Sequence, residues 1–141
     1  ITSAICNSFK TEILTGTHNF TSSSGNTFNL ALYTSSASLG ASTTAYTTSN
    51  EVSGSGYTAK GNALTSVTPT LDSSTAVCDF ADTSFTSASF TARGCLIFND
   101  SATGDPAVCA IDFGSDKTVT SGTFTIQFPT ADASNAIIRI A

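Results

Sequence analysis

Phe28-Asn29-Leu30-Ala31-Leu32-Tyr33 decides how the rest of this chain is read. Phe28, Leu30 and Leu32 alternate with Asn29, Ala31 and Tyr33, the period of two that sends successive side chains to opposite faces of a strand. A polar turn from Ser22 to Asn26 leads into it, so the stretch reads as a half-buried strand. Working downstream, residues 62–70 form a second candidate, with Pro69 near its end as at an edge or terminus. Residues 75–81 follow the turn Leu71-Asp72-Ser73-Ser74. Residues 88–98 put Phe90, Ala92, Leu96 and Phe98 on one face, and Gly94 marks a bulge or a close approach. The loop Asn99 to Pro106, with Gly104-Asp105-Pro106, closes a hairpin onto a returning strand at 107–113. Gly114-Ser115-Asp116-Lys117 reads as another turn before Val119 and the alternating Phe124, Ile126 and Phe128. Ala136 to Ile140 is apolar except at Arg139, the pattern of a strand covered on both faces.

Working upstream, one segment has a helical period. Ile5, Phe9 and Ile13 recur every fourth residue, with Cys6 and Leu14 widening the stripe. Ser3 is placed as N-cap and Gly16 as the residue after the C-terminus, which predicts a helix over about 3–15. Residues 34–61 are hydroxyl-rich and punctuated by glycine, with Tyr46 and Tyr57 as isolated anchors; they form short irregular elements or a working loop. The expectation is a single all-β domain over residues 1–141. It is a β-sandwich or jelly-roll-like fold, with a short N-terminal amphipathic helix and strands from about 27 to 140.

Composition agrees. About a third of the 141 residues are Ser or Thr, and only 11% are charged, so solubility rests on hydroxyls. The net charge of −5 leaves no basic stripe, which argues against nucleic acid and against anionic membrane surfaces. No apolar run approaches the ~18 residues of a spanning helix. Ile1 carries no charged-then-apolar leader and reads as a processed or truncated start.

Few residues are equipped for chemistry. His18 is the single histidine, and without a nucleophile elbow it reads as a loop residue after the helix. Asp79, Asp82 and Asp112 are too little supported by aromatic residues for a sugar-cleaving carboxylate pair. The loops Asn99 to Asp105 and Asp112 to Asp116 carry calcium-type oxygens but not the spacing of a calcium loop. The expectation is no enzyme, no cofactor and no metal. Cys6, Cys78, Cys95 and Cys109 contain no C-x-x-C pair and are read as buried thiols or as disulfide partners. Cys95 and Cys109 lie at similar distances from the hairpin centre, which makes them the candidate bridge.

Three stretches carry a resemblance: Phe28 to Ser35, Thr91 to Asp100 and Gly122 to Pro129. With the intervening chain from Phe9 to Ile140, they resemble small virion structural proteins of tailed bacteriophages. The resemblance implies a capsid decoration (cement) protein, or else a tail or neck component. It implies location in the virion and contacts with its own copies, with the major capsid protein or with other virion proteins. A trimer is the expected homo-oligomer. A carbohydrate- or receptor-binding β-domain, with its cleft near Tyr33, Tyr46 or Tyr57, is the second reading, and an extracellular filament subunit the third. For assembly, the expected surfaces are the helix stripe (Ile5, Phe9, Ile13) and the last strand (Ile137, Ile138, Ile140), because both are terminal and both unusually apolar.

Overall fold

The computed structural model describes residues 1–141, and its backbone is mostly β with one short helix. Strand β1 (Ala4–Ile5) precedes helix α1 (Asn7–Leu14). Six further strands follow: β2 (Phe28–Tyr33), β3 (Asn62–Ala63), β4 (Ser66–Asp72), β5 (Thr75–Phe80), β6 (Thr83–Asn99) and β7 (Ala107–Ile126). The last is β8 (Ile138–Ile140). Two antiparallel sheets result, ordered β1-β7-β6-β2-β3 and β4-β5-β8. A single cluster of 27 buried side chains takes residues from both sheets and from α1.

β2 is buried at all six positions rather than on one face. The reason is that both its edges and both its faces are covered. β6 pairs with it from Phe28↔Asn99 to Tyr33↔Gly94, β3 pairs on the other edge, and the 34–61 segment packs beside it. Tyr57 Oη accepts the Leu32 N–H at 2.9 Å, and Tyr33 Oη donates to Thr47 O at 2.7 Å. Gly61, at φ +64°, lies so close that a Cβ there would sit 1.9 Å from Leu30 O.

The helix is shorter than the 3–15 predicted, and its start differs. Ala4 and Ile5 are drawn into β1, where they pair with Ala110 and Cys109. Ser3 therefore caps no helix; its Oγ accepts the Asp112 N–H at 2.8 Å, and Cys6 occupies the N-cap without a side-chain bond. Gly16 ends the helix as expected, at φ +77°.

The hairpin over Asn99 to Pro106 forms, but its strands run far past the expected ends. Gly114 to Lys117 is no turn: it lies inside β7 as a bulge opposite Arg93, between Ala92↔Lys117 and Gly94↔Asp112. Gly114 takes φ +83° and donates its N–H to Asp112 Oδ1 at 3.0 Å. Arg93 Nε donates to the same oxygen at 3.1 Å, and its guanidinium lies 3.6 Å from Asp116. Further register shifts flank Ala88, near Ser87 and Ser121, which also have positive φ. Bulges bend strands, and β7 curls strongly. Phe113 and Phe124 are eleven positions apart, which in a straight strand is roughly 36 Å. Their ring centroids are 6.3 Å apart. Gly94 serves both expected purposes, since a bulge adjoins it and a Cβ there would meet Ile111 O at 2.4 Å.

Candidate functional site

The curl of β7 creates an apolar cleft of about 540 Å³. Its floor and walls are Cys95, Ile111, Phe113, Phe124 and Ile126, and the chain beyond β7 closes it with Phe128, Pro129 and Ile137. Lys117, Thr125 and Gln127 supply its polar atoms. A volume of this size is within the range of ligand and docking clefts. Lys117 is the sole Lys or Arg with no ion pair or side-chain hydrogen bond. Lys60 and Arg93 bind carboxylates, Arg139 binds the carbonyls of Ala133 and Ser134, and Lys10 binds Asn7 Oδ1.

The second apolar feature is a patch. Register places Leu71, Ala76 and Ile140 opposite one another across the small sheet, hence on one face. Leu71 is 72% exposed and Ile140 56%. Ile13 lines a small hollow with Pro69, Ala76, Ile138 and Ile140, and the next residue, Leu14, is 87% exposed. Only Val67, elsewhere on β4, joins these three as an exposed large apolar residue.

This placement corrects the expected assembly set. Phe9 is a core residue, 3% exposed, with its ring 4.9 Å from His18 and edge-on to Phe20. Ile138 is buried opposite Cys78. Ile5, Ile13 and Ile137 are partly buried and pack against the same core. The stripe is apolar because Phe9 enters the core cluster and Ile5 and Ile13 pack against it, so it has to match that interior. Ile140 alone of the set stands in water. Leu14 and Leu71, which periodicity assigned to a helix flank and a turn, complete the patch; their signal was an apolar residue directly beside a chain reversal.

The candidate bridge is also corrected. Cys95 pairs with Ile111 and Cys109 with Ile97, so the two thiols are diagonal neighbours rather than opposed. Diagonal positions lie about 7–8 Å apart, beyond the reach of an unstrained disulfide. All four cysteines are free and buried. Burial pushes the Cys6 thiol up to about 11 and those of Cys78 and Cys95 to about 12. Cys109 is raised well above its ordinary value by burial, with the other three thiols adding to the effect. Thiols in this state are poor nucleophiles.

The polar residues hold the 34–61 segment in place. Glu51 accepts from Tyr46 Oη at 2.5 Å, Tyr57 Oη at 2.7 Å and the Lys60 N–H at 2.7 Å. Burial and these bonds raise the Tyr46 phenol to about 12, and that of Tyr57 further. The tyrosine hydroxyls are thus committed inside the protein, and Tyr33 is fully buried, so the three do not form an open sugar platform. The two acidic loops each hold a basic side chain. Lys60 Nζ lies 2.7 Å from Asp100 and 2.8 Å from Asp105, 5.6 Å above the Tyr46 ring. Asp82 accepts the Phe128 N–H, Asp112 engages Arg93, and Asp79 keeps one buried oxygen without a partner, so the three aspartates act separately. No three His, Cys, Asp or Glu side chains are grouped to hold a metal ion.

His18 lies in the loop after α1, as expected, but its side chain is enclosed. It is buried between Phe9 and Phe28, with Nδ1 facing the Asn99 amide at 3.2 Å and Nε2 facing Glu12 at 3.2 Å. An accepting Nδ1 leaves the proton on Nε2, where it donates to Glu12. Asn99 in turn caps the hairpin loop, its Oδ1 accepting from the N–H groups of Ser101 and Ala102. The triad thus ties α1 to the hairpin.

Fold and surfaces together define an all-β protein of two antiparallel sheets that presents one apolar cleft and one apolar patch. Compared with known protein families, with characterised proteins and with solved structures, the chain matches none.

Proposed function

We propose that this chain is a structural protein of a bacteriophage virion, acting through protein–protein contacts and not as an enzyme. The particular role proposed is capsid decoration, in which copies of the chain cement neighbouring subunits of the major capsid protein. The sequence resemblance supplies the class. One structural observation supports it most: the fold leaves Leu14, Leu71 and Ile140 exposed, Leu71 and Ile140 on one face of the small sheet and Leu14 next to Ile13, which shares a hollow with Ile140. Large apolar side chains left exposed in this way suit a place where another protein sits. A closed homo-oligomer, with a trimer as the first expectation, suits a shell built on symmetry axes. A tail or neck component would use the same surfaces.

Light scattering of the purified chain, with and without reductant, is the test, followed by co-sedimentation with assembled shells. A discrete oligomer insensitive to reductant, which then binds shells, is the expected outcome. A monomer at all concentrations that ignores shells overturns the decoration role. The carbohydrate-binding reading predicts saturable hits on a glycan array, and its cleft would have to be other than the buried tyrosine cluster.

A further inference from the structure

Independently of how the chain assembles, we propose that His18 and Asn99 form an acid-sensitive latch: when the imidazole takes up a second proton, Asn99 lets go of the hairpin loop between β6 and β7.

The hydrogen atoms of this triad are fully committed. Asn99 and the His18 side chain are both 0% exposed, so bulk water is not at hand to replace a lost partner. Asn99 Oδ1 accepts from the Ser101 N–H at 3.1 Å, the Ser101 hydroxyl at 3.0 Å and the Ala102 N–H at 3.2 Å. Those donors fix which way the amide points, so Nδ2 is the end turned to Thr17 O at 3.4 Å and to His18 Nδ1 at 3.2 Å. An imidazolium carries a hydrogen on both ring nitrogens, and its Nδ1–H faces the Asn99 N–H, donor against donor. Glu12 favours that proton from the other side, 3.2 Å from Nε2. Proton uptake therefore has a partner at one nitrogen and a conflict at the other. Turning the Asn99 amide over gives Nδ1–H its acceptor, but it points Nδ2 at the Ser101 and Ala102 N–H groups and takes the cap off the loop. Around the ring stand Phe9 and Glu12 of α1, Phe20 of the following loop, Phe28 of β2 and Asn99 of β6. The other titratable groups of α1 and the hairpin loop are engaged elsewhere, Lys10 with Asn7 and the two loop carboxylates, Asp100 and Asp105, with Lys60. Burial and Glu12 keep the Cys6 thiol protonated. The loop also carries part of the 34–61 segment, since Asp105 O accepts the Tyr46 N–H at 3.0 Å, so an uncapped loop slackens that hold as well.

The test follows the full chain by NMR between about pH 8 and about pH 5, the range in which imidazole is the side chain that titrates. Amide protection at Ser101 and Ala102, corrected for the intrinsic pH dependence of exchange, is expected to fall at least about tenfold in step with the His18 ring signals, while Leu96 stays protected. A His18 ring that takes up its proton with the loop unchanged overturns the latch, and so does a ring that stays neutral throughout the range. Loss of protection at Leu96 together with the loop also overturns it, because the proton then unfolds the protein instead of opening a catch. Two variants separate the latch from general loosening. Asn99→Asp offers one carboxylate oxygen to the loop and the other to Nδ1–H, so its loop stays protected across the range. A loop that still opens on acidification in that variant overturns the role of Asn99. Glu12→Gln, at a partly exposed position, preserves the bond to Nε2 and removes the charge, so the loop opens only at lower pH. A transition that does not move in Glu12→Gln shows that a group other than His18 is titrating and overturns the latch, whether or not Asn99→Asp folds.

Discussion

From Gly94 to Asn99, β6 is buried at every residue; from Thr83 to Arg93, the same strand alternates between buried Phe85, Ala88, Phe90 and Ala92 and outward-facing hydroxyls. β7 divides in the same way, buried from Ala107 to Ala110 and half-open from Ile111 onward. One hairpin thus has a filled half and an open half. The filled half is flanked by β2 along its full length and by β1, with α1 nearby. The open half has, on its β6 edge, one isolated bridge, Ser55↔Ser89, and the Asn62 amide on Thr83 and Ser84. Its β7 edge is interrupted by the Gly114 bulge, a feature that discourages indiscriminate pairing of exposed strand edges. The hairpin teaches a division of labour: the filled half is packed core, and the bent half lines the cleft.

The strongest way to break this contrast is in the filled half. Phe98→Ala removes a fully buried ring stacked on Tyr46. It should cost about 3–5 kcal/mol, read as a lower denaturant midpoint at unchanged slope. Next comes Glu51→Ala, which leaves three donors of the 34–61 segment without their acceptor. A loss of about 2–4 kcal/mol is expected, together with faster amide exchange at Lys60. Phe124→Ala in the open half, where the ring is only partly buried, should cost about 1 kcal/mol and widen the cleft. A cost equal to that of Phe98→Ala would erase the distinction between the halves.

The smallest effect is a matter of pH. The Gly114 N–H, followed by Arg93, holds the Asp112 carboxyl below its ordinary value of 3.8. A carboxylate depressed in the folded state stabilises it above the unfolded value, and that contribution disappears as pH falls through the folded one. Acidification below 3.8 should therefore speed amide exchange at Gly114 while Leu96 stays protected. Simultaneous loss of protection at both residues would show that the bulge and the filled half unfold together.

Much of the frame was legible beforehand. Alternation located β2 and β5 and most of the hairpin, Gly16 located the helix end, and Gly104-Asp105-Pro106 located the reversal. The filled half had a signal too: Cys95-Leu96-Ile97-Phe98 lacks the polar alternation of Thr83 to Thr91, the mark of a strand covered on both faces. Gly114 to Lys117 misled because a glycine in the left-handed region serves a bulge as well as a turn. Phe9 misled because an amphipathic stripe reports that a face is covered and says nothing about which molecule covers it. Glu51 went unread among the hydroxyls, since its three donors come together only when residues 46 to 60 fold over β2.

By itself the sequence determined what depends on neighbours along the chain: the period of most segments, the helix end at Gly16, the reversal at Gly104-Asp105-Pro106, the low charge and the all-β class. Backbone sterics and side-chain alternation act over a few residues, so they are written locally. Only the tertiary structure decided which edges pair, that Ser3 bonds the edge of β7 rather than capping a helix, and that Cys95 and Cys109 sit diagonally. It also decided that Phe9 faces inward while Leu14, Leu71 and Ile140 face water. Those outcomes depend on residues far apart in the chain meeting in one register, where a shift of a single position sends every side chain to the opposite face.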